Sequence, residues 1–389
     1  MDDTNLRELR KFVAPEFVFG NGSLRLAGQY ADNLGMNRVL LVSDPGVERH
    51  GWTARVRDAL LAEGFSCVPF TDVSPNPRDH EVMAGAEAYL AEGCDGIVVV
   101  GGGSAMDLAK GVGIASANGR HILEFEGVDN VLRPSPPLVC VPTTAGSSAD
   151  VSQFAIITDT NRRVKIAIVS KTVVADAALV DPSTTVTMDE ELTRNTGLDA
   201  LTHAIEAYVS NASGPMTDMF ALKAVELIGR ALPAALERPD DLRARTDQML
   251  GSMYAGLAFS NAILGAVHAM AHSLGGLLDL PHGQCNAILL DHVLDYNFEA
   301  VPERCAEIAR ALGADVPAGA PKEERRQRSV EAVRAFKRRV GMHATLAGLG
   351  VSRDDLRSLA ESAMLDPCMA TNPRQPQTSD ILRVFENAL

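Results

Sequence analysis

Up to residue 180 the chain alternates short apolar, β-prone runs with amphipathic helical stretches, a rhythm that one parallel sheet wrapped by helices satisfies. Strands are predicted over 38–43, 66–70 and 96–100, with helices over 52–63 and 79–91 and a further helix beginning near Ser104. After Pro137 the runs 137–142, 153–158, 164–169 and 173–180 are expected to add strands to the same sheet. From Asp189 onward the texture changes to Ala, Leu, Met and Glu at helical spacing, over 195–210, 217–234 and 246–275. Asp181-Pro182-Ser183 marks the seam, because Pro disfavours helix in the residue before it and closes the last apolar strand. An α/β domain over 1–182 and an all-helical domain over 183–389 are therefore expected, and a chain of 389 residues exceeds what one core usually serves.

Composition narrows the function classes. A formal net charge of −14 argues against a polyanion partner, since nucleic-acid binding depends on clustered Lys and Arg. The longest basic cluster, Lys322 to Arg328 with Arg334 and Lys337 to Arg339, is interleaved with Glu323, Glu324 and Glu331, which is the pattern of a solvated helix face. Six cysteines, at 67, 94, 140, 285, 305 and 368, show no close pairing and several sit in apolar runs, so reduced thiols are expected. The acidic opening Met1-Asp2-Asp3-Thr4 has no apolar leader behind it. No run reaches the roughly 18 apolar residues of a membrane span, so the expectation is a cytoplasmic protein without a membrane partner.

Two loops point to a dinucleotide. Gly101-Gly102-Gly103-Ser104 follows an apolar strand and opens a helix, so its amides and the helix N-terminus face the carboxyl edge of the sheet, which suits a pyrophosphate. Ser104 is expected to cap that helix, with Asp107 in its first turn. Thr143-Thr144-Ala145-Gly146-Ser147-Ser148 ends another strand with four hydroxyls around a glycine, a donor-rich loop fit for phosphate or ribose. Asp44 ends the strand 38–43. Its carboxylate would bond ribose hydroxyls and repel a 2′-phosphate, favouring NAD over NADP, or would simply cap the turn at Pro45-Gly46. The GxGxxG fingerprint is absent, so the half is Rossmann-like rather than an ordinary Rossmann domain.

Three segments of the helical half carry groups that could hold a metal. Asp199 and His203 stand four apart on one helix face, His268 and His272 repeat that spacing, and His282 follows in a turn after the second helix ends at Gly275-Gly276. Their surroundings are apolar and rich in Gly and Ala, where burying imidazoles is costly unless something satisfies them. His50, His80, His121, His292 and His343 lack such spacing and are left to structure.

In these motifs the chain resembles the iron-containing, or group III, alcohol dehydrogenase family over nearly its whole length. It has GGGSxxD as Gly101 to Asp107, PTTAG[ST] as Pro142 to Ser147, DAxxHAIE as Asp199 to Glu206, and GxxHxxAHxLG…HG as Gly265 to Gly283. The resemblance implies the dehydroquinate synthase-like fold of that family, with metal ligands Asp199, His203, His268 and His282. It implies His272 as a proton-handling group, with His268 beside it in the catalytic centre. It also implies cofactor contacts at Asp44, Gly102, Gly103, Ser104, Asp107, Thr143, Thr144, Ser147, Lys165 and Leu179, and a substrate pocket lined by Gln153, Phe259 and Cys368. The implied activity is NAD-linked interconversion of a small primary alcohol and its aldehyde, the alcohol oxygen being held on a divalent metal. Fe(II) follows from the resemblance, while the mixed N/O ligand set also accepts Zn or another divalent ion.

A polyol dehydrogenase or a dehydroquinate-type lyase is the rival within enzymes. The stretch 254–278 carries no Lys or Arg for a phosphate or carboxylate, which favours a weakly polar substrate. A regulatory NAD-binding paralogue is the rival outside catalysis. The apolar segment 12–19 could pair across a two-fold axis, making a homodimer or larger oligomer the expectation.

Overall fold

The structure, a computed structural model, describes residues 11–389, so the acidic opening Met1–Thr4 lies outside the described residues. Six strands form one fully parallel sheet: β1 (Glu16–Phe19), β2 (Arg38–Ser43), β3 (Ser66–Phe70), β4 (Gly96–Gly101), β6 (Leu138–Pro142) and β9 (Ala177–Val180), in the spatial order β1-β9-β6-β4-β2-β3. Helices α1 (Ala27–Asn33), α2 (Pro45–Arg49), α3 (Trp52–Ala62), α4 (Asp79–Ala91) and α5 (Gly103–Asn118) connect them. Side chains alternate between two cores. Leu40, Val42, Ile97, Val99 and Cys140 face α4 and α5, whereas Val39, Leu41, Val98, Val100 and Val141 face α1 and α3. Both faces being covered, the inner strands read as unbroken apolar runs. The chain passes from β2 outward to β3 and returns to β4 on the other side of β2, so the loops after β2 and β4 diverge and open a crevice at the sheet's carboxyl edge.

Two of the strands expected to join that sheet do not. β7 (Phe154–Asp159) and β8 (Val164–Val169) pair antiparallel and, with β5 (Gly127–Val128), make a separate three-stranded sheet. Only residues 160–163 separate β7 from β8. Parallel neighbours need a crossover of a dozen or more residues, so a hairpin is the only pairing so short a link permits. The Asp159 carboxylate closes the turn by accepting from Asn161 N and Arg162 N, both at 2.9 Å. Lys110, fully buried on α5, ties the hairpin to the main sheet by donating to Ser152 O and Phe154 O, each at 2.8 Å.

Beyond β9 every regular element is helical: α6 (Glu190–Val209), α7 (Pro215–Glu237), α8 (Leu242–Ala262), α9 (Ala266–Leu278), α10 (His282–Asn297), α11 (Pro302–Ala311), α12 (Lys322–Arg339), α13 (Leu356–Ala363) and α14 (Thr378–Ala388), with short 3-10 turns between some of them. Asp189 caps α6, accepting from Leu192 N at 2.7 Å, and Glu190 and Glu191 follow where negative charge suits the dipole. The stretch 246–275 is not continuous. It breaks after Ala262, where Ile263 takes the left-handed φ of 61°, and α9 leaves at 98° to α8. The break exposes fresh amides at Val267 and His268, and the buried Glu206 carboxylate accepts both, at 2.7 and 3.4 Å. His282, expected in a turn, is the first residue of α10. Among the described residues no single helix is long and apolar enough to cross a membrane.

Candidate active site

Between the sheet's carboxyl edge and the helical half lies a cavity of 1310 Å³. Its lining includes Asp44, Gly102, Gly103, Ser104, Asp107, Thr143, Thr144, Ser147 and Lys165. Asp44 acts as the cap: its Oδ1 accepts from Gly46 N at 2.8 Å and Val47 N at 3.0 Å. Gly102, not Ser104, occupies the N-cap of α5, and among the described residues no side chain satisfies that helix end. Its free amides therefore point into the cavity, the arrangement that binds anionic groups. A Cβ on Gly103 would lie 2.8 Å from Ser147 Cβ, so the glycine lets the hydroxyl loop pack directly on the helix end. Asp107 sits one turn further along the helix than expected. Burial pushes its carboxyl up to about 7 against the pull of Lys110. Lys165 donates to Asn76 Oδ1 at 2.8 Å, and burial lowers its ammonium.

Two expected contacts lie elsewhere. Leu179 sits in β9 at 0% exposure with Val139, Val141 and Val39, because strand alternation turns it into the sheet core rather than toward the cavity. Gln153 is buried too, its amide donating to the Ser260 carbonyl, so it fastens β7 to α8 instead of lining the pocket. Phe259 and Cys368 do line the cavity, with Phe154, Ile263 and Leu264.

On the helical side, one face of α6 presents Asp199 and His203, α9 presents His268 and His272, and the start of α10 presents His282. Donor atoms of Asp199, His268 and His282 lie within 4.8 Å of one another, Asp199 Oδ1 standing 3.8 Å from each Nε2. The His203 ring stacks on that of His268 at 4.5 Å and on Phe259 at 4.3 Å, while its Nδ1 bonds the Gly146 carbonyl of the hydroxyl loop at 3.2 Å. His203 thus stands beside the trio, with Nε2 as its remaining nitrogen. Burial, then neighbouring charge, holds His268 and His282 well below the usual imidazole range, so both offer lone pairs rather than protons at neutral pH. His282 Nδ1 is buried without a partner among the described residues. Three lone pairs thus converge on the single amide nitrogen of Asn286, which has only two hydrogens to share. A mixed imidazole and carboxylate set with neutral rings and more acceptors than donors fits a divalent metal.

Three residues that sequence reasoning left without a role shape the site. Glu206 Oε2 accepts from His268 Nδ1 at 2.5 Å, which fixes the tautomer that leaves the Nε2 lone pair facing Asp199. Burial pushes Glu206 up to about 7 despite its three backbone amides. Asp366 Oδ2 binds His272 Nδ1 at 2.7 Å, and Asp366 Oδ1 accepts from Cys368 N at 2.8 Å. Although burial alone would raise it, His272 and these bonds hold the Asp366 carboxyl below its usual range. Beside it burial raises the Cys368 thiol, so Cys368 lines the cavity protonated. Asn286, the third, lies one turn after His282. Glu206 was legible as the third member of the 199, 203, 206 face of α6; Asn286 was not, because His282 was placed in a turn rather than at a helix start.

The family model for iron-containing alcohol dehydrogenase matches residues 14–182, and that for the C-terminal part of the Fe-containing alcohol dehydrogenase family matches 193–389. The chain is 36% identical over 378 residues to the NAD-dependent methanol dehydrogenase of Bacillus methanolicus, covering 97% of this chain and 99% of that one. It is 38% identical over 372 residues to the 1,3-propanediol dehydrogenase of Citrobacter freundii, covering 95% and 96%. Among solved structures, the alcohol dehydrogenase from Oenococcus oeni superposes with a TM-score of 0.94 at 36% identity, covering 98% of this chain and all of that one, 100%.

Proposed function

Because this chain belongs to the iron-containing alcohol dehydrogenase family, we propose that it interconverts a small primary alcohol and its aldehyde, with NAD as hydride carrier and a divalent metal held by Asp199, His203, His268 and His282. The observation that carries this is the convergence of neutral imidazoles and one carboxylate at one wall of a cavity whose other wall is an uncapped helix end. Iron is the family's metal, and the N/O donor set suits Fe(II).

A bound ion would supply Lewis acidity to the substrate oxygen. The protein's own residues do the rest. The free amides of α5 with Thr143, Thr144 and Ser147 receive the pyrophosphate and ribose. Asp44, at the end of β2, favours NAD, since its charge repels a 2′-phosphate. Asp366 holds His272 by Nδ1, leaving Nε2 free to take the alcohol proton or return it. Phe154, Phe259, Ile263 and Leu264 exclude water and face a short, weakly polar carbon chain. Relatives named for methanol and 1,3-propanediol support that substrate size. Among the described residues the cations lining the cavity are Lys165, bonded to Asn76 and near His282, and Arg49 beside Asp44, so a single ammonium serves the metal wall where a phosphate- and carboxylate-bearing lyase substrate calls for a basic cluster. The outer edge of β1, unpaired among the described residues, supports association with a second copy, and a cytoplasmic location fits the free cysteines.

The test is NADH formation by anaerobically Fe(II)-loaded protein with a series of short primary alcohols, run in parallel with NADP. Turnover with NAD that is lost in His268→Ala is the expected outcome. A metal-loaded, NAD-binding protein that turns over none of them would overturn the proposal in favour of a regulatory role.

A further inference from the structure

His272, Asp366 and Cys368 form a second donor cluster on the same cavity, and it shares no residue with the first. One donor atom from each lies within 4.8 Å of the other two. Asp366 caps the 3-10 turn Pro367–Thr371 with Oδ1, which accepts from Cys368 N at 2.8 Å, and it turns Oδ2 to His272 Nδ1 at 2.7 Å. The Cys368 thiol bonds the same carboxylate. The side chains of His272 and Asp366 are each 9% exposed and Cys368 is buried, yet His272 and Cys368 border the cavity, from which an ion and a water can reach them.

We propose that His272 Nδ1, an Asp366 oxygen and Cys368 Sγ form a second, thiolate-containing site for a divalent cation of Zn(II) type, whose occupation stops turnover. Three protein ligands and a cavity water complete a tetrahedral shell. Zinc–ligand lengths of about 2.0–2.3 Å place neighbouring donors about 3.3 Å apart, so the Nδ1–Oδ2 contact has only to widen by a side-chain rotation. The ion displaces the thiol proton to solvent, since a coordinating thiol ionises outright. The ring keeps its proton, which moves from Nδ1 to Nε2. One dication, two anions and a neutral ring leave the buried centre without net charge, so it neither carries an uncompensated charge nor repels an ion on Asp199 and its neighbours. The thiolate favours Zn(II) here, whereas the N/O set of the first site suits Fe(II). With its proton on Nε2, His272 has no lone pair for the alcohol proton. That consequence rests on the reading of His272 as the proton-handling group; the binding does not.

The experiment titrates His268→Ala, which disables the first site, with Co(II) without oxygen and reads the near-ultraviolet sulfur-to-cobalt charge-transfer band. The expected result is a band in His268→Ala that is lost when Cys368→Ser is added. No band at excess Co(II), or one that survives Cys368→Ser, would overturn the site. Should that double variant not fold, Asp366→Asn takes the place of Cys368→Ser: an amide brings no charge to the ion, so the band should be lost or need more Co(II), and an unchanged titration would overturn the site. In protein loaded with one equivalent of Fe(II), Zn(II) should abolish NADH formation by wild type but not by Cys368→Ser, each measured against its own zinc-free rate. Equal inhibition of both would mean displacement of the first ion and would overturn the control of turnover. Failure of the alcohol dehydrogenase reading is distinguishable: Fe(II)-loaded wild type would show no turnover, while the sulfur band in His268→Ala would still decide the second site.

Discussion

Glu206 Oε2 and His268 Nδ1 are 2.5 Å apart, and the same carboxylate accepts the first amides of α9, so one buried acid both starts a helix and orients a ring of the donor cluster. Glu206→Gln can keep an acceptor at the amides but presents no charge to the ring. Metal affinity, measured by chelator competition, should fall roughly 10–100-fold. Glu206→Ala should in addition lower stability by about 1–3 kcal/mol through the unpaired amides. Unchanged affinity in both variants would show that the contact does not tune the ligand.

The His272–Asp366 pair predicts a split between metal and rate. His272→Ala should retain metal and lose about 100-fold or more in kcat, the usual range for a positioned acid-base group. Asp366→Asn should leave the fold intact yet slow turnover, since an amide no longer selects the His272 tautomer with its lone pair on Nε2. Metal content by atomic absorption distinguishes this from ligand loss: depletion in His272→Ala would make it a ligand.

Asp107 titrates at about 7 in the fold, raised by burial from 3.8. A carboxyl whose folded value is raised contributes stability that is fully present below its unfolded value and disappears as pH rises through the folded one. Wild type should therefore lose melting temperature relative to Asp107→Asn between about pH 4 and pH 7, in protein free of NAD. Parallel melting curves across that window would contradict the assignment.

Asp44 combines a cap with a charge toward the cavity, and two substitutions separate them. Asp44→Asn keeps an oxygen for Gly46 N and Val47 N, so stability should hold while NADP becomes a better substrate. Asp44→Ala should also relax the preference but cost about 1 kcal/mol of stability. Ratios of kcat/KM for the two nucleotides, beside chemical denaturation, are the readouts.

Leu179→Ala removes a fully buried side chain from β9. It should cost about 2–5 kcal/mol in denaturant unfolding and leave the NAD dissociation constant of the remaining folded protein within error. A specific loss of NAD affinity without loss of stability would return Leu179 to the cofactor site.

The alternation of apolar runs with helical stretches and the switch to helical texture near Asp189 determined the α/β half, the helical half and their order, because side-chain periodicity is a local property. The i, i+4 spacings likewise placed Asp199 with His203 and His268 with His272, since a helix alone brings such residues to one face. Pairing partners were not local. The hairpin β7–β8 left the main sheet because its link is too short to cross over, and Leu179 turned inward because of what packs on β9. The break at Ile263 was equally illegible: the helical pattern runs straight through it, and the acceptors that let α9 begin there come from far along the chain, Glu206 on α6 for Val267 N and His268 N and Asn372 for Ala266 N. Sequence thus named the groups able to carry chemistry, while the tertiary structure decided their orientation, because Glu206 and Asp366 reach their imidazoles across 62 and 94 residues of chain and Asn286 reaches Asp199 across 87.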